Sequence, residues 1–240
     1  MNEKYTCQIN KEQSFEIKLR EGVFRPTGTS DEIIKAVSNN INSPGKLLDL
    51  GCGSGVVGFA LHLLGKATNE LFASDLSQDA VMQIEENAKQ LKIPVIARSG
   101  SIFEPWDTES FDYIIDDISG IAEHVADISP WFSETSCSSG EDGTDLVIEA
   151  ITNSPRYLNS GGKFFFPVLS LSNTKRIIET AESVFTNVKR VGHHEWKLPD
   201  EMKEHMDTLI ELKSKGLIHF EEKYGWVLWS TDVYMAESPR

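Results

Sequence analysis

Lys46-Leu-Leu-Asp-Leu-Gly-Cys-Gly-Ser-Gly-Val-Val-Gly58 decides how this chain is read. The apolar run Leu47, Leu48 and Leu50 carries one acid, Asp49, and stops at Gly51, Gly53 and Gly55. An amphipathic stretch follows at once. This is the pattern of a buried strand that enters a tight turn and then a helix. Glycines without side chains let a nucleotide-like ligand sit against backbone N–H groups at the helix start.

Beyond this turn, strand and helix signals alternate. Leu71–Asp75, Val95–Ala97, Tyr113–Ile115 and Lys163–Val168 read as strands. Helices are predicted at Val56–Leu64, after a Ser77 cap, at Thr144–Tyr157 and at Lys175–Phe185; Ala80, Val81, Ile84, Ala88 and Leu91 fall at helical spacing. Asp142 or Thr144 caps the third of these, with Gly143 permitting the turn. This βα grammar predicts a mostly parallel sheet with helices on both faces.

Toward the N-terminus, Tyr5, Cys7, Ile9 and Phe15, Ile17, Leu19 form two short strands. A loop over residues 22–30 leads into a helix with Ile33, Ile34 and Val37, capped by Ser30 or Asp31. At the other end, Val188–Trp196 and Trp226–Met235 alternate like strands around a helix-like insert, residues 199–215, which either covers a pocket or packs on the sheet. One domain is expected over 1–240: an N-terminal segment over residues 1–45, a core over 46–170 and a C-terminal segment over 171–240.

The net charge of −14 argues against a nucleic-acid partner, which needs clustered Lys and Arg. Cys7, Cys52 and Cys137 show no metal-ligand or disulfide spacing, so a reducing, cytoplasmic setting is expected. The polar start Met1-Asn-Glu-Lys4 gives no sign of a signal peptide, and no apolar run is long enough to span a bilayer. His193 and His194 invite a metal reading, but neighbouring strand residues diverge, and no metal is expected.

Two ligands compete for the glycine turn. Gly53-x-Gly55-x-x-Gly58, with Asp75 downstream, matches a dinucleotide fingerprint. Asp49 just before the first glycine is awkward beside a pyrophosphate and suits a zwitterion bearing an amine and a sulfonium. The phrase Asp49-Leu-Gly51-Cys-Gly53-Ser-Gly55 resembles the first motif of class I S-adenosylmethionine (SAM) methyltransferases. Leu71-Phe-Ala-Ser-Asp75-Leu76, Ser99-Gly-Ser101-Ile102-Phe103 and Phe111-Asp-Tyr-Ile-Ile-Asp116-Asp117 resemble the later motifs in order.

The resemblance implies a Rossmann-like, doubly wound, mostly parallel seven-stranded sheet with an antiparallel C-terminal strand and a short N-terminal β extension. It implies SAM as cofactor, held by Asp49, Gly51, Cys52, Gly53 and Gly55, with Asp75 on the ribose, and Leu76, Ser101 and Ile102 around the adenine. Phe24-Arg-Pro26-Thr-Gly-Thr29 resembles the loop of release-factor glutamine methyltransferases and their HemK-like relatives, which implies that Phe24 and Thr29 close over SAM.

That branch carries Asn-Pro-Pro-Tyr after its fourth strand; here the aligned residues are Asp117-Ile118-Ser119-Gly120. Ionised Asp only accepts hydrogen bonds and can take a proton. The expected function is therefore methylation of N or O on a small molecule, with Asp117 orienting or deprotonating the acceptor and also near the cofactor. Asp116, Ser119 and Trp131 are expected substrate contacts, although either acid has an alternative role as a loop cap or cofactor-amine ligand. Trp196, Trp226 and Trp229 are read as sheet core. The alternatives are a protein side-chain methyltransferase, an NAD-dependent oxidoreductase and a non-catalytic SAM-binding module. The sequence sets neither the acceptor nor the oligomeric state.

Overall fold

The computed structural model describes residues 3–133, 135 and 137–240, so Met1 and Asn2 at the polar start lie outside the described residues. Elements run β1 (Glu3–Gln8), β2 (Ser14–Leu19), α1 (Gly28–Asn40), β3 (Leu47–Leu50), α2 (Val56–Leu63), β4 (Leu71–Asp75), α3 (Gln78–Leu91) and β5 (Val95–Ser99). There follow β6 (Phe111–Asp116), α4 (Glu123–Ile128), α5 (Asp145–Asn153), β7 (Leu158–Leu169), α6 (Thr174–Val184) and β8 (Phe185–Lys197). The chain ends with α7 (Met206–Ser214), β9 (Glu221–Lys223) and β10 (Trp226–Pro239).

The main sheet has the order β5-β4-β3-β6-β7-β10-β8, and the short β9 adds to β10. β3 to β7 pair in parallel, whereas β10 inserts antiparallel between β7 and β8. The seven strands in this order match the predicted sheet, and β9 is an eighth that the sequence reading did not contain. Strand order reverses between β3 and β6, and ligands of such sheets bind in the crevice at that reversal.

Side-chain alternation builds a core on each face. In the run Phe164-Phe165-Phe166, Phe165 joins the cluster under α1, α2 and α3, while Phe164 and Phe166 pack with residues of α5 and α6. A third cluster joins Met202, Leu209 and Leu212 of the 199–215 insert to Trp229, so this segment packs on the sheet. The β1–β2 hairpin docks on α3 through buried amides. Asn87 Oδ1 accepts from Lys18 N at 3.0 Å, Asn87 Nδ2 donates to Lys18 O at 3.1 Å, and Gln83 Oε1 accepts from Arg20 N at 2.6 Å.

Several caps differ in detail from expectation. Ser77 Oγ accepts from Ala80 N at the start of α3, as predicted. The α1 cap is Thr27, whose Oγ1 accepts from Thr29 N, because Gly28 already has helical geometry; Ser30 and Asp31 lie inside the first turn. Thr144 occupies the N-cap position of α5, as one of the two expected candidates, but its side chain makes no capping bond. Asp142 instead accepts from Thr144 Oγ1, Asn173 Nδ2 and Arg176 Nη1, tying α5 to α6. Gly143, at φ +73°, passes so near Ala122 N that a Cβ would lie 2.4 Å from it.

Gly55 opens α2 at φ +83°, and a Cβ there would meet Ile84 Cγ1 and Phe59 Cε2 at 2.7 Å. Gly55→Ala is expected to lower the unfolding free energy by about 1–3 kcal/mol. Urea unfolding reads this as a lower midpoint with an unchanged slope; an unchanged midpoint contradicts the packing argument.

Candidate active site

The C-terminal ends of the parallel strands open into a cavity of about 680 Å³, within the range of small-molecule sites. Sheet order sets out its wall. The ends of β3, β4 and β5 contribute Gly51, Cys52, Gly53, Asp75, Leu76, Ser101 and Ile102. The end of β6 contributes Asp117 to Ile121, and β7, β10 and β8 contribute Pro167, Leu169, Trp229 and Trp196. Phe24, Thr29 and Ser30 border it from the loop and helix before β3, as do Trp131 and Phe132 after α4.

At the glycine turn, Gly51 N and Cys52 N both donate to Ser74 O at 2.9 Å, and Gly53 N donates to Asp75 Oδ2 at 2.8 Å. These three amides are therefore committed to the end of β4 and do not form an open anion cradle. The loop before α1 lies over the turn, with Phe24 O 3.6 Å from where a Gly53 Cβ would stand. Asp75 Oδ1 also accepts from Ser77 N at 2.8 Å. Burial raises the Asp75 pKa against the pull of these two amides.

Leu76 beside it is 77% exposed, a large apolar side chain standing at the cavity edge. Ile102, at φ +47°, is a β-branched residue in left-handed backbone, a strained conformation typical of ligand sites.

Two expected site residues stand behind the cavity wall. Asp49 is fully buried and does not line the cavity; its Oδ2 accepts from Gly58 N at 2.9 Å and its Oδ1 has no partner among the described residues. The absence of a Gly58 side chain makes room, since a Cβ would lie 2.7 Å from that oxygen. Asp116 is likewise fully buried behind the wall, where its Oδ1 accepts from Ile118 N at 2.9 Å and shapes the loop; its Oδ2 has no partner among the described residues. It performs the loop-capping role that the sequence left open.

Asp117 does face the cavity, half-buried, and its Oδ2 accepts from Ser30 Oγ at 3.2 Å. Burial raises its pKa well above the carboxylate range, with Asp49, Asp116 and Asp75 adding in the same direction. Cys52 reports the same field. After burial, the charges of Asp49, Asp75 and Asp117 each push its thiol up. Carboxyl groups thus crowd the cavity centre, where burial favours their protonated forms.

Sequence reasoning missed Ser30, which it read only as a helix cap. Of the tryptophans read as sheet core, Trp229 is buried in the third cluster and Trp196 packs against it, and both also line the cavity, whereas Trp226 is exposed. Their neighbours across strands, Trp196 opposite Trp229, are invisible to local spacing. Ser119 lines the cavity, and Ser139 Oγ donates to Ser119 O at 2.8 Å. His193 Nδ1 pairs with Asp232 Oδ1 at 2.6 Å, while the His194 ring lies against Trp196. Among the described residues no group of three His, Cys, Asp or Glu is placed to hold a metal, and no helix is long and apolar enough to cross a membrane.

Comparison with known proteins settles the family. The description "Methyltransferase domain" matches residues 41–219. The chain belongs to this methyltransferase family. The family favours the methyltransferase reading of the glycine turn over the dinucleotide one.

The methyltransferase is 26% identical over 196 residues to ribosomal protein L11 methyltransferase of Staphylococcus haemolyticus, covering 80% of this chain and 54% of that protein. It is 26% identical over 149 residues to release factor glutamine methyltransferase of Geobacter sulfurreducens, covering 58% and 51%. The chain thus spans about half the length of these curated relatives. Relatedness to the release-factor branch agrees with the sequence reading, and the L11 enzymes widen it.

Among solved structures, the methyltransferase resembles T. thermophilus 16S rRNA N2 G1207 methyltransferase in complex with AdoMet and guanosine. The TM-score is 0.64 at 15% identity, covering 98% of this chain and 50% of that one. This likeness establishes the fold. Family and fold together imply SAM as the cofactor.

The buried acids make stability depend on pH. Asp49 and Asp116 are both raised from 3.8 to about 7, mainly by burial. Between those values the folded chain binds more protons than the unfolded one, so unfolding free energy falls as pH rises. The contribution is complete below about pH 4 and is lost as pH rises through about 7. Without cofactor, the urea midpoint is expected to be higher at about pH 5.5 than at about pH 8. Asp116→Asn should shrink that difference, and an equal difference in the variant would mean that Asp116 ionises normally.

Proposed function

We propose that this methyltransferase methylates N or O of a small molecule, with Asp117 orienting the acceptor and taking its proton. The observation that carries this reading is a cavity-facing carboxyl group, Asp117, held by Ser30 at the end of β6. When bound, SAM supplies a methyl carbon made electrophilic by its sulfonium. The residues present fit such a cation. A bound amine and sulfonium would favour the ionised forms of Asp49, Asp75 and Asp117, whereas a diphosphate would oppose them, and the amides of Gly51, Cys52 and Gly53 are already taken.

In this reading Asp75 receives the ribose hydroxyls, Leu76 and Ile102 pack on the adenine, and Ser101 lies at its edge. Gly51, Cys52, Gly53 and Gly55 keep the backbone close, while Phe24 and Thr29 close the site from above. Asp49 acts behind the wall through charge and through Gly58.

Asp117 does two things for the acceptor. It aims the lone pair by accepting the hydrogen bond of the group that reacts, and it receives the proton that leaves. Its raised pKa makes it a stronger proton acceptor than an ordinary carboxylate once ionised. The Ser30 hydroxyl limits its rotation and Ser119 offers a further polar contact. A protein side chain is the second reading, favoured by relatives named for ribosomal protein L11 and release factor glutamine. Asp117-Ile118-Ser119-Gly120 at the decisive position weighs against it.

Asp117→Asn is expected to lower kcat by about 10²–10⁴-fold and to remove the high-lying inflection from the pH–rate profile, with S-adenosylhomocysteine binding largely retained. Unchanged turnover would end the base role. Asp75→Ala, in contrast, should weaken S-adenosylhomocysteine binding by about ten- to a hundredfold in calorimetry, through loss of charged hydrogen bonds. Equal affinity in that variant would remove Asp75 from the cofactor site.

A further inference from the structure

Resting on that reading, we infer that the acceptor is a small planar aromatic molecule that carries the reacting hydroxyl or amino group on its ring. The wall on the β7, β10 and β8 side of Asp117 is aromatic. Phe24, Trp131, Phe132, Trp196 and Trp229 reach it from four separate segments. Phe24 and Phe132 meet at 5.1 Å between centroids, Trp131 and Trp229 at 5.1 Å, and Trp196 and Trp229 at 6.2 Å. All but Trp229 stay partly exposed although they border a cavity. Rings gathered and left open in this way signal a ligand surface.

The wall is also preformed. Trp196 Nε1 donates to Thr231 Oγ1 at 3.1 Å, and the ring lies 3.9 Å from His194 between centroids. Gly28 brings the backbone of α1 onto the same ring, where a Cβ would stand 2.4 Å from Trp196 Cη2. Trp229 is 7% exposed and its Nε1–H is buried with no acceptor among the described residues, so the wall carries an unsatisfied donor.

The ring pairs are tilted by 45°, 57° and 35°, presenting both faces and edges, the geometry that receives another ring by stacking and edge contact. Ile121, Leu146 and Leu169 add aliphatic surface to the same lining, while Leu171, Leu209 and Leu212 lie in the core beneath. Charge is scarce. Beyond Asp75 and Asp117 the charged lining residue described is Lys197, whose Nζ already sits 3.4 Å over the Trp226 ring. A phosphorylated or multiply anionic acceptor finds no partner there among the described residues.

The reaction then balances simply. The ring oxygen or nitrogen forms a bond to the methyl carbon, the carbon–sulfur bond breaks with its electron pair going to sulfur, and the acceptor proton passes to Asp117.

The test uses the full chain loaded with S-adenosylhomocysteine and calorimetry with matched pairs: naphthol against decalol, and phenol against cyclohexanol. Aromatic members are expected to bind about tenfold more tightly. Trp131→Ala and Trp196→Leu should lose this preference while still binding S-adenosylhomocysteine, and Trp196→Phe should keep it. With labelled SAM, label should enter the aromatic members. Intact S-adenosylhomocysteine binding with no aromatic preference, or label passing only to protein, RNA or saturated partners, overturns the inference. Loss of S-adenosylhomocysteine binding in the unaltered chain would instead sink the methyl-transfer site itself.

Discussion

The site depends on how tightly the chain can leave β3 and begin α2. All four residues of β3 are buried, so no water is available to the acid within it. Asp49 finds its partner nine residues on, at the amide of Gly58, and only a residue without Cβ lets α2 come that close. The turn between them is closed from the other side by β4, through Ser74 O and the Asp75 carboxylate. A turn whose amides are already satisfied has little freedom, and it holds Asp75 in place before any ligand arrives.

That closure also decides the chemistry of the ligand. A loop with free amides at a helix start attracts anions. Here the amides of Gly51, Cys52, Gly53 and Gly55 are committed, and carboxyl groups, three of which act on Cys52, surround the turn. Buried acids raised in pKa by desolvation and by one another respond to a cation in the opposite sense, because a nearby positive charge favours their ionised form. Binding of a cationic ligand and loss of protons from this cluster are therefore linked. The cluster that destabilises the fold at neutral pH is the one whose ionised form a bound cation would favour.

Much of this was legible in the chain because it is periodic or local. The βα alternation, the Ser77 cap and the ordered motifs from Asp49 to Asp117 follow from spacing, and the sheet order agrees with them. What was not legible depends on the direction of single side chains. Asp49 and Asp116 sit at strand ends beside the cavity in sequence, yet each turns to a backbone amide, Gly58 or Ile118, that happens to be nearer. Ser30 looked like a cap until α1 placed it against Asp117, more than eighty residues away. Trp196 and Trp229 have the alternation of core strand residues, and only their position at the sheet's end turns them toward a cavity.

The same geometry explains how the two halves of the cavity can follow different rules. The half under β3, β4 and β5 is made by short connections whose glycines and acids are tied to one another, so changes there disturb the turn itself. The half under β7, β10 and β8 is made by rings projecting from long strands and from the turn after α4, which can change size without breaking a backbone hydrogen bond. Asp117 stands between them at the reversal of strand order, where a group on one side must meet a group on the other. The close approach of Gly28 to Trp196 is the exception that ties the halves together, since it seats the first turn of α1, with Thr29 and Ser30, on the aromatic wall. A shift of that ring on acceptor binding would reach Ser30, and through it the oxygen of Asp117 that Ser30 holds.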